Sequence, residues 1–256
     1  DPGRVRKIHH HGAYVDVAGP DLSAPSTQRT PVLFQAGMSE RGRDFATRHA
    51  ECVFVVGSSR SGQAIEADLE KRLRLNGRSR ADIKLIGGVA PIVGGTEAEA
   101  KTKRKEYEQT LSIEAGLAHI SGNIGADLGD IDPDQPLESF ETERVQGFIK
   151  NLLESAPPGT RTMGDLIKTN LAGAWLSGSV EQVADELERR FNNGIDGFNL
   201  TYTVTPGTFI DFVEGVVPIL QERGLVQHDY AEGSLRTKLF GDDRLPTTHP
   251  VAEFRY

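Results

Sequence analysis

Residues 31–43 read PVLFQAGMSERGR, a short apolar run that breaks at a glycine and resumes as a helix after a serine. The run at 32–36 has the length of a buried parallel strand, and Gly37 permits a sharp turn. Ser39 stands where it can cap the helix predicted over 40–50. The pattern predicts a loop that presents backbone N–H groups and a hydroxyl at the positive end of a helix dipole, which suits a phosphate. A serine in this place is also an ordinary N-cap, so both interpretations stay open here.

The alternation of strand and helix continues along the chain. It predicts parallel strands joined by right-handed crossovers. Two capping signals, at Thr96 and Ser179, mark where further helices begin. The remaining predicted elements are strands at 52–56, 82–92 and 198–202, and helices at 61–76, 97–110, 180–193 and 207–223.

Three segments fall outside this rhythm. Residues 4–19 alternate and end in Gly-Pro, which predicts a small β-hairpin. Residues 112–175 have the character of an insertion, with helices predicted over 138–154 and 162–170. Residues 227–256 form a tail of mixed charge that we expect to lie on the surface or on a neighbouring subunit.

Composition excludes several classes of protein. The chain has 256 residues and a formal net charge of −8, so a general affinity for nucleic acid or an anionic membrane is not expected. No apolar stretch approaches the roughly 20 residues that a membrane helix needs, and the first residues have no signal-peptide pattern. We therefore expect a cytoplasmic protein. The single cysteine, Cys52, excludes an internal disulfide and is expected in a buried strand.

The sequence does not predict a metal site. His9, His10 and His11 are consecutive, so on a strand they alternate between faces, and we identify no carboxylate partner near them in sequence. The aspartates at 127–134 resemble a calcium loop, but the glycine that such a loop needs is replaced by Gln135. A solvated acidic loop is the simpler interpretation. The sequence also lacks the spacing of an acid–base or nucleophilic set, so no catalytic residue is assigned.

Two architectures fit the predicted strands. One is a doubly wound sheet, although the glycine-rich first turn lacks the G-x-G-x-x-G pattern of a dinucleotide fold. The other is half of an eight-stranded α/β barrel.

Several motifs occur in order along the chain. They are FQAGMSERGRDFA at 34–46, HAECVF at 49–54, VGGTEAEA at 93–100, GSVEQVAD at 178–185, DGFNL at 196–200 and VPILQERG at 217–224. Together they resemble one family, the bacterial-luciferase-like flavin monooxygenases. Within it, they are most similar to the branch that acts on nitrilotriacetate, dibenzothiophene sulfone and long-chain alkanes.

The resemblance implies a fold. It is an α/β (β/α)₈ barrel of the luciferase-like type, of which this chain is the C-terminal half, strands 5–8. The segment 112–175 is then a long insertion after strand 7 that shapes the substrate entrance. Residues 1–256 are expected to be part of a single barrel domain, with 227–256 as its tail. Family members are nearly twice this length, and the sequence leaves open why the N-terminal half is missing.

The resemblance also implies a reaction. Enzymes of this family bind reduced FMN, which a separate flavin reductase delivers, and use dioxygen through a flavin hydroperoxide to oxidise a small organic substrate. Gly37, Met38 through its N–H, and Ser39 are then expected to hold the FMN phosphate. Gln35 and Ala36 are expected near the flavin ring or its ribityl chain. A homo-oligomer is expected, and the substrate stays open.

Two other functions remain as alternatives. One is an oxidoreductase of the same fold that uses the deazaflavin F420 for hydride transfer. The other is a half-barrel that binds flavin or a partner without catalysis. Asn199 and Tyr202 end the last strand, where they can contact a ligand, although a packed aromatic is an equally good interpretation of Tyr202.

Overall fold

The computed structural model describes residues 2–37, 39–55, 62–124, 127–137 and 158–254. Met38 and the helix predicted over 138–154 lie outside the described residues. The chain divides into two compact units, one formed by Asp1–Val32 with Ala231–Tyr256 and the other by Leu33–Tyr230.

The smaller unit begins with the predicted hairpin. Strands β1 (His10–His11) and β2 (Asp16–Val17) pair in antiparallel fashion, which confirms the prediction. One contact across this hairpin was not expected from the sequence. Nδ1 of His11 lies 3.1 Å from Oδ1 of Asp16. The tail contributes a short helix, Leu235–Phe240, in which Arg236 is buried. The Arg236 guanidinium donates to the Pro31 carbonyl at 2.8 Å, so this part of the tail is packed rather than only lying on a surface.

The larger unit contains a five-stranded parallel sheet. The central strand β5 pairs with β4 on one side, and β4 pairs with β3. On its other side β5 pairs first with β7, along 86–89, and then with β6, along 90–94. The strands are β3 (Phe34–Gln35), β4 (Cys52–Val55), β5 (Lys84–Gly94), β6 (Trp175–Ser179) and β7 (Gly197–Leu200).

Helices connect these strands as predicted for parallel pairing. The predictions at 40–50, 61–76, 97–110, 162–170 and 180–193 agree with the observed helices to within about two residues at each end. The helices are α1 (Glu40–His49), α2 (Gly62–Leu75), α3 (Glu97–Gln109), α4 (Ile113–Ile124), α5 (Met163–Leu171), α6 (Val180–Asn192), α7 (Gly207–Asp211) and α8 (Val217–Glu222). None of the described helices is both long enough and apolar enough to cross a bilayer.

Three features differ from the prediction. Helix α4, which lies in the segment interpreted as an insertion, and strand β6, which begins at the last residue of that segment, were not predicted, so the sheet has five strands instead of four. The helix predicted over 207–223 is interrupted by a wide turn, Phe212–Val216, in which the Val217 N–H donates to the Phe212 carbonyl five residues earlier. Pro218 follows that turn, and its ring lacks an N–H and crowds the carbonyl four residues before it, which accounts for the wider spacing.

Two apolar clusters bury one face of the sheet. Val53, Val55 and Leu85 pack against α1 and α2. Val89 and Val93 pack against α6, α8 and the wide turn between α7 and α8. Cys52 is fully buried, as expected, although it stands on the face opposite Val53 because side chains alternate along a strand.

Candidate functional site

The loop between β3 and α1 has the capping geometry that the sequence predicts. Ser39 has extended backbone angles, and its Oγ accepts a hydrogen bond of 3.1 Å from the Gly42 N–H. Ser39 is therefore the N-cap of α1, which confirms the capping prediction. Its hydroxyl is exposed and still has its own proton to donate, so capping leaves one donor for a ligand. The N–H groups of Glu40 and Arg41, in the first turn, have no partner within the helix.

Two glycines bring the loop and the helix into close contact. A Cβ on Gly42 would lie 2.7 Å from the Gly37 carbonyl carbon and 3.1 Å from the Gly37 Cα, closer than a real Cβ tolerates. Gly37 has no left-handed backbone conformation, so its role is this close approach rather than an unusual turn. Sequence reasoning missed Gly42. The available signal was a glycine in the first turn of a helix, where it costs about 1 kcal/mol relative to alanine unless packing requires it.

The other predicted residues of the loop have different surroundings. Gln35 pairs in register with Val53, so it stands on the helix-covered face of the sheet, and it is half-buried. Its amide nitrogen lies beside Gly37, since a Cβ on Gly37 would come within 2.9 Å of it. Ala36 is exposed. Met38 lies outside the described residues. The structure thus gathers Gln35, Gly37 and Ser39 around one turn.

An ionic network fixes α1 against α2 directly behind this turn. The Arg43 Nε lies 2.8 Å from the Asp68 carboxylate, and Arg72 contacts both Asp68 and Asp44. Burial acts to raise the pKa of Asp68, but hydrogen bonds and the positive charge of Arg72, with a contribution from Arg43, outweigh it and lower that pKa. Arg43 is therefore engaged with Asp68. Arg41 is exposed and is the first-turn arginine placed to reach an anion at the helix terminus.

The carboxyl ends of the neighbouring strands bring further side chains to the face opposite α1 and α2. A Cβ on Gly88 would lie 3.1 Å from the tip of the Phe54 ring, so glycine makes room for that ring on β5. Asn199 pairs in register with Gly88 and is exposed. Tyr202 is 63% exposed and makes an edge contact with Phe209, with ring centres 6.1 Å apart. The Tyr202 ring therefore packs against Phe209, but most of its surface is accessible to solvent.

The acidic loop at 127–134 folds on itself. The Asp127 and Asp132 carboxylates accept hydrogen bonds from backbone N–H groups two residues further on, at 2.9 and 3.0 Å. Within the described parts of the chain, no group of three or more His, Cys, Asp or Glu side chains has the arrangement of a metal site.

Comparisons with known proteins identify relatives of the chain as a whole. The family model described as luciferase-like monooxygenase matches residues 4–197. The long-chain alkane monooxygenase of Geobacillus thermodenitrificans is 42% identical over 262 residues, and the alignment covers 100% of this chain and 55% of that protein. The dimethyl-sulfide monooxygenase of Hyphomicrobium sulfonivorans is 39% identical with the same coverage.

A solved structure agrees with these relatives. The crystal structure of a riboflavin lyase with modified FMN and riboflavin superposes with a TM-score of 0.84 at 34% identity, covering 100% of this chain and 58% of that one. The chain belongs to the luciferase-like monooxygenase family. The predicted family and its α/β barrel fold are thus confirmed. The chain spans about half the length of the curated relatives that it matches.

Proposed function

We propose that this chain is part of a monooxygenase that uses reduced FMN and dioxygen, and that the loop between β3 and α1 holds the FMN phosphate. The observation that carries the proposal is the joined arrangement of Ser39, Gly37 and Gly42 at the end of a parallel strand and the start of a helix. Family membership supports the activity, because both relatives described above are named monooxygenases. The riboflavin lyase structure supports the cofactor, because it contains modified FMN.

The loop fits a phosphate monoester on three physical grounds. The exposed Ser39 hydroxyl can accept from Gly42 and donate to a phosphate oxygen at the same time. The N–H groups of the first turn of α1 and the helix dipole favour a dianion at that position. The close approach of Gly42 to Gly37 brings the end of β3 against the first turn of α1, and preorganisation of this kind lowers the entropy cost of binding an anion. Met38 is included in the proposal through its backbone N–H.

The residues around the turn have separate tasks in this proposal. Ser39 and the first turn of α1 bind and orient the phosphate, and Arg41 adds positive charge from the surface. Gln35 and Ala36 are proposed to lie along the ribityl chain or the ring edge, Gln35 through its backbone, since its side chain stands on the helix-covered face. When bound, reduced flavin supplies the electrons that activate dioxygen, and the protein positions it and excludes water. The catalytic residues are not assigned.

The other parts of the proposal follow from the family. A separate flavin reductase is proposed to supply reduced FMN, and the substrate is proposed to be a small organic molecule. The two monooxygenase relatives are named for an alkane and a sulfide, so their names favour no single substrate for this chain. A cytoplasmic homo-oligomer, in which residues 1–256 belong to one barrel domain with an insertion at 112–175 and a tail at 227–256, completes the proposal.

A turnover experiment tests the reaction. The chain, combined with the barrel half that its relatives possess in addition, is supplied with reduced FMN under air, with reduced FMN under nitrogen, and with reduced F420. We expect substrate oxidation only with reduced FMN under air. Oxygen-independent turnover with F420 would replace the proposal by hydride transfer. Inactivity in all three conditions, across sulfide, sulfone, aminopolycarboxylate and alkane substrates, would favour a half-barrel without catalysis.

A further inference from the structure

A surface groove separate from the phosphate loop lies between α3 and α5 and ends at the start of β6. Its volume is about 680 Å³, within the range of small-molecule sites. Helix α3 contributes Arg104, Lys105 and Glu108 to its lining, α5 contributes Lys168, and β6 contributes Trp175. We call this feature the cationic groove.

The charge of the groove is opposite to that of the whole chain. Three cations and one carboxylate line it, which gives a local charge of +2 in a chain of net charge −8. Glu108 is engaged with Arg104, since its carboxylate lies 2.7 Å from the Arg104 Nε. Lys105 and Lys168 are both exposed, and among the described residues no carboxylate lies within 4.0 Å of either ammonium group. Neither lysine is thus held in an ion pair of this length, although Asp165 lies near enough to Lys168 for the lysine's charge to act on it.

Trp175 gives the lining of the groove a planar apolar surface in addition to these charges. Trp175 is half-buried, and the Arg104 guanidinium carbon lies 5.8 Å from the centre of its ring. This cation–π contact holds the indole and the guanidinium in a fixed relation. Leu111 and Ala172 extend the apolar part of the lining. A ligand that matches this lining carries two negative charges and a planar apolar group.

We propose that the cationic groove binds a small organic dianion with a planar apolar group, of the phosphate monoester or dicarboxylate class. The anionic end pairs with the Lys105 and Lys168 ammonium groups, and the apolar end packs against Trp175. A charge-assisted hydrogen bond of this kind is about twice as strong as a neutral one, which makes the two lysines the main source of specificity. The proposal is independent of the phosphate loop and of the monooxygenase activity.

The sequence provides a local reporter, because Trp175 is the only tryptophan in the chain. Fluorescence of the 256-residue protein is measured during titration with phenyl phosphate, phthalate, inorganic phosphate and phenol. We expect saturable quenching by phenyl phosphate or phthalate, and about tenfold weaker binding of inorganic phosphate and of phenol. The tighter of the first two identifies the anion class. Raising the salt concentration should weaken binding, because exposed charges are screened.

Two variants and a matched control test the placement of the ligand. Lys168→Gln and Lys105→Gln should each weaken binding of phenyl phosphate or phthalate about threefold to tenfold. Lys101→Gln is the control, because Lys101 is on the same helix as Lys105 and is 72% exposed, but it pairs with Glu97 at 2.5 Å and does not line the groove. Its removal changes the net charge equally and should leave binding unchanged.

Three results would overturn the proposal. The first is quenching that does not saturate with either dianion. The second is phenol binding as tightly as phenyl phosphate, because the cations would then have no role. The third is an equal effect of Lys101→Gln and Lys168→Gln, which would show that the net charge of the chain matters and the groove does not.

Discussion

Replacement of Ser39 by alanine tests whether Ser39 only caps α1 or also binds the FMN phosphate. The Ser39 Oγ accepts from the Gly42 N–H at 3.1 Å, and its removal leaves that donor to water. Loss of a serine N-cap costs about 0.5–2 kcal/mol of folding stability. If the hydroxyl also donates to the FMN phosphate, the variant loses a further hydrogen bond to a charged group, and we expect FMN affinity to fall by about 1–2 kcal/mol, or roughly fivefold to thirtyfold in Kd.

The chain provides a matched control in Ser179. Ser179 caps α6 in the same way, accepting from the Gln182 N–H at 3.3 Å, and lies in another loop. Ser179→Ala should therefore lower stability by a similar amount and leave FMN affinity unchanged. Ser39→Thr keeps a hydroxyl and a cap, so it should restore most of both properties.

Urea unfolding of the 256-residue chain measures the stability of each variant. Flavin fluorescence titration of the chain, completed with the second half of the barrel, measures affinity. The reasoning fails if Ser39→Ala and Ser179→Ala lose equal stability and FMN binds both variants as tightly as the parent protein. Ser39 would then be a cap only, and the phosphate would have to bind elsewhere.

Four further outcomes are expected. Gly42→Ala should destabilise the chain by about 1–3 kcal/mol in urea unfolding, because the alanine Cβ would overlap the loop backbone. The control, Gly122→Ala, should be neutral or stabilising, because there is open space around Gly122. Arg78→Met should cost about 2–4 kcal/mol in the same assay, since the buried guanidinium donates to carbonyls at the end of α1, including that of Ala50 at 2.7 Å. Burial, with the charge of Glu51, raises the pKa of Cys52 to about 11. The stability that the neutral thiol contributes is therefore complete below the ordinary pKa near 9.0 and is lost as the pH rises towards 11. The difference in unfolding free energy between the parent protein and Cys52→Ala should shrink over that range. The 256-residue chain alone should bind FMN weakly or not at all, and tight one-to-one binding in a fluorescence titration would contradict this.

The segment from 33 to 110 was predictable because its signals are local. The strands contain apolar runs, α1 and α3 each begin after a hydroxyl residue that caps them, and glycine or hydroxyl residues stand near the boundaries. Ser39 and Thr96 both accept a hydrogen bond from the N–H three residues ahead, as the sequence indicates. Glu99 differs in detail, because its carboxylate accepts from the Gly95 N–H at 2.9 Å, one residue before the cap.

Helix α4 was missed because its stability comes from a distant partner. Its sequence contains two glycines and a serine, which lower local helix propensity. It packs on α5, and a Cβ on Gly116 would lie 2.7 Å from Ile167, so a glycine that weakens the helix locally allows the two helices to meet. Strand β6 was missed for the same reason, because its five residues are a strand only through pairing with Ala90–Gly94 of β5.

The site was predictable only in part, because capping and phosphate binding share the same local chemistry. A serine before a helix cannot by itself identify a ligand, and the chain has a second one at Ser179 with the same geometry. What distinguishes the loop at Ser39 is the contact of Gly42 with Gly37. This contact depends on how the first turn of α1 packs against the preceding loop. The engagement of Arg43 by Asp68 on another helix is equally non-local, so sequence alone could not separate Arg43 from Arg41 as a partner for the phosphate.

The two faces of the sheet explain why this loop is expected to need further protein around it. Strands of parallel sheets are normally buried on both faces. Here α1 and α2 bury the face with Val53 and Leu85. On the opposite face Cys52 is fully buried, but Phe54 and Ile86 are only half-buried and Phe34 is 59% exposed. A flavin held by its phosphate at Ser39 and lying along that second face would have water on its other side. Because activation of dioxygen by a flavin requires water to be excluded, the proposed binding of the phosphate at this loop would not be enough for catalysis, which would depend on protein that covers the face that includes Phe34.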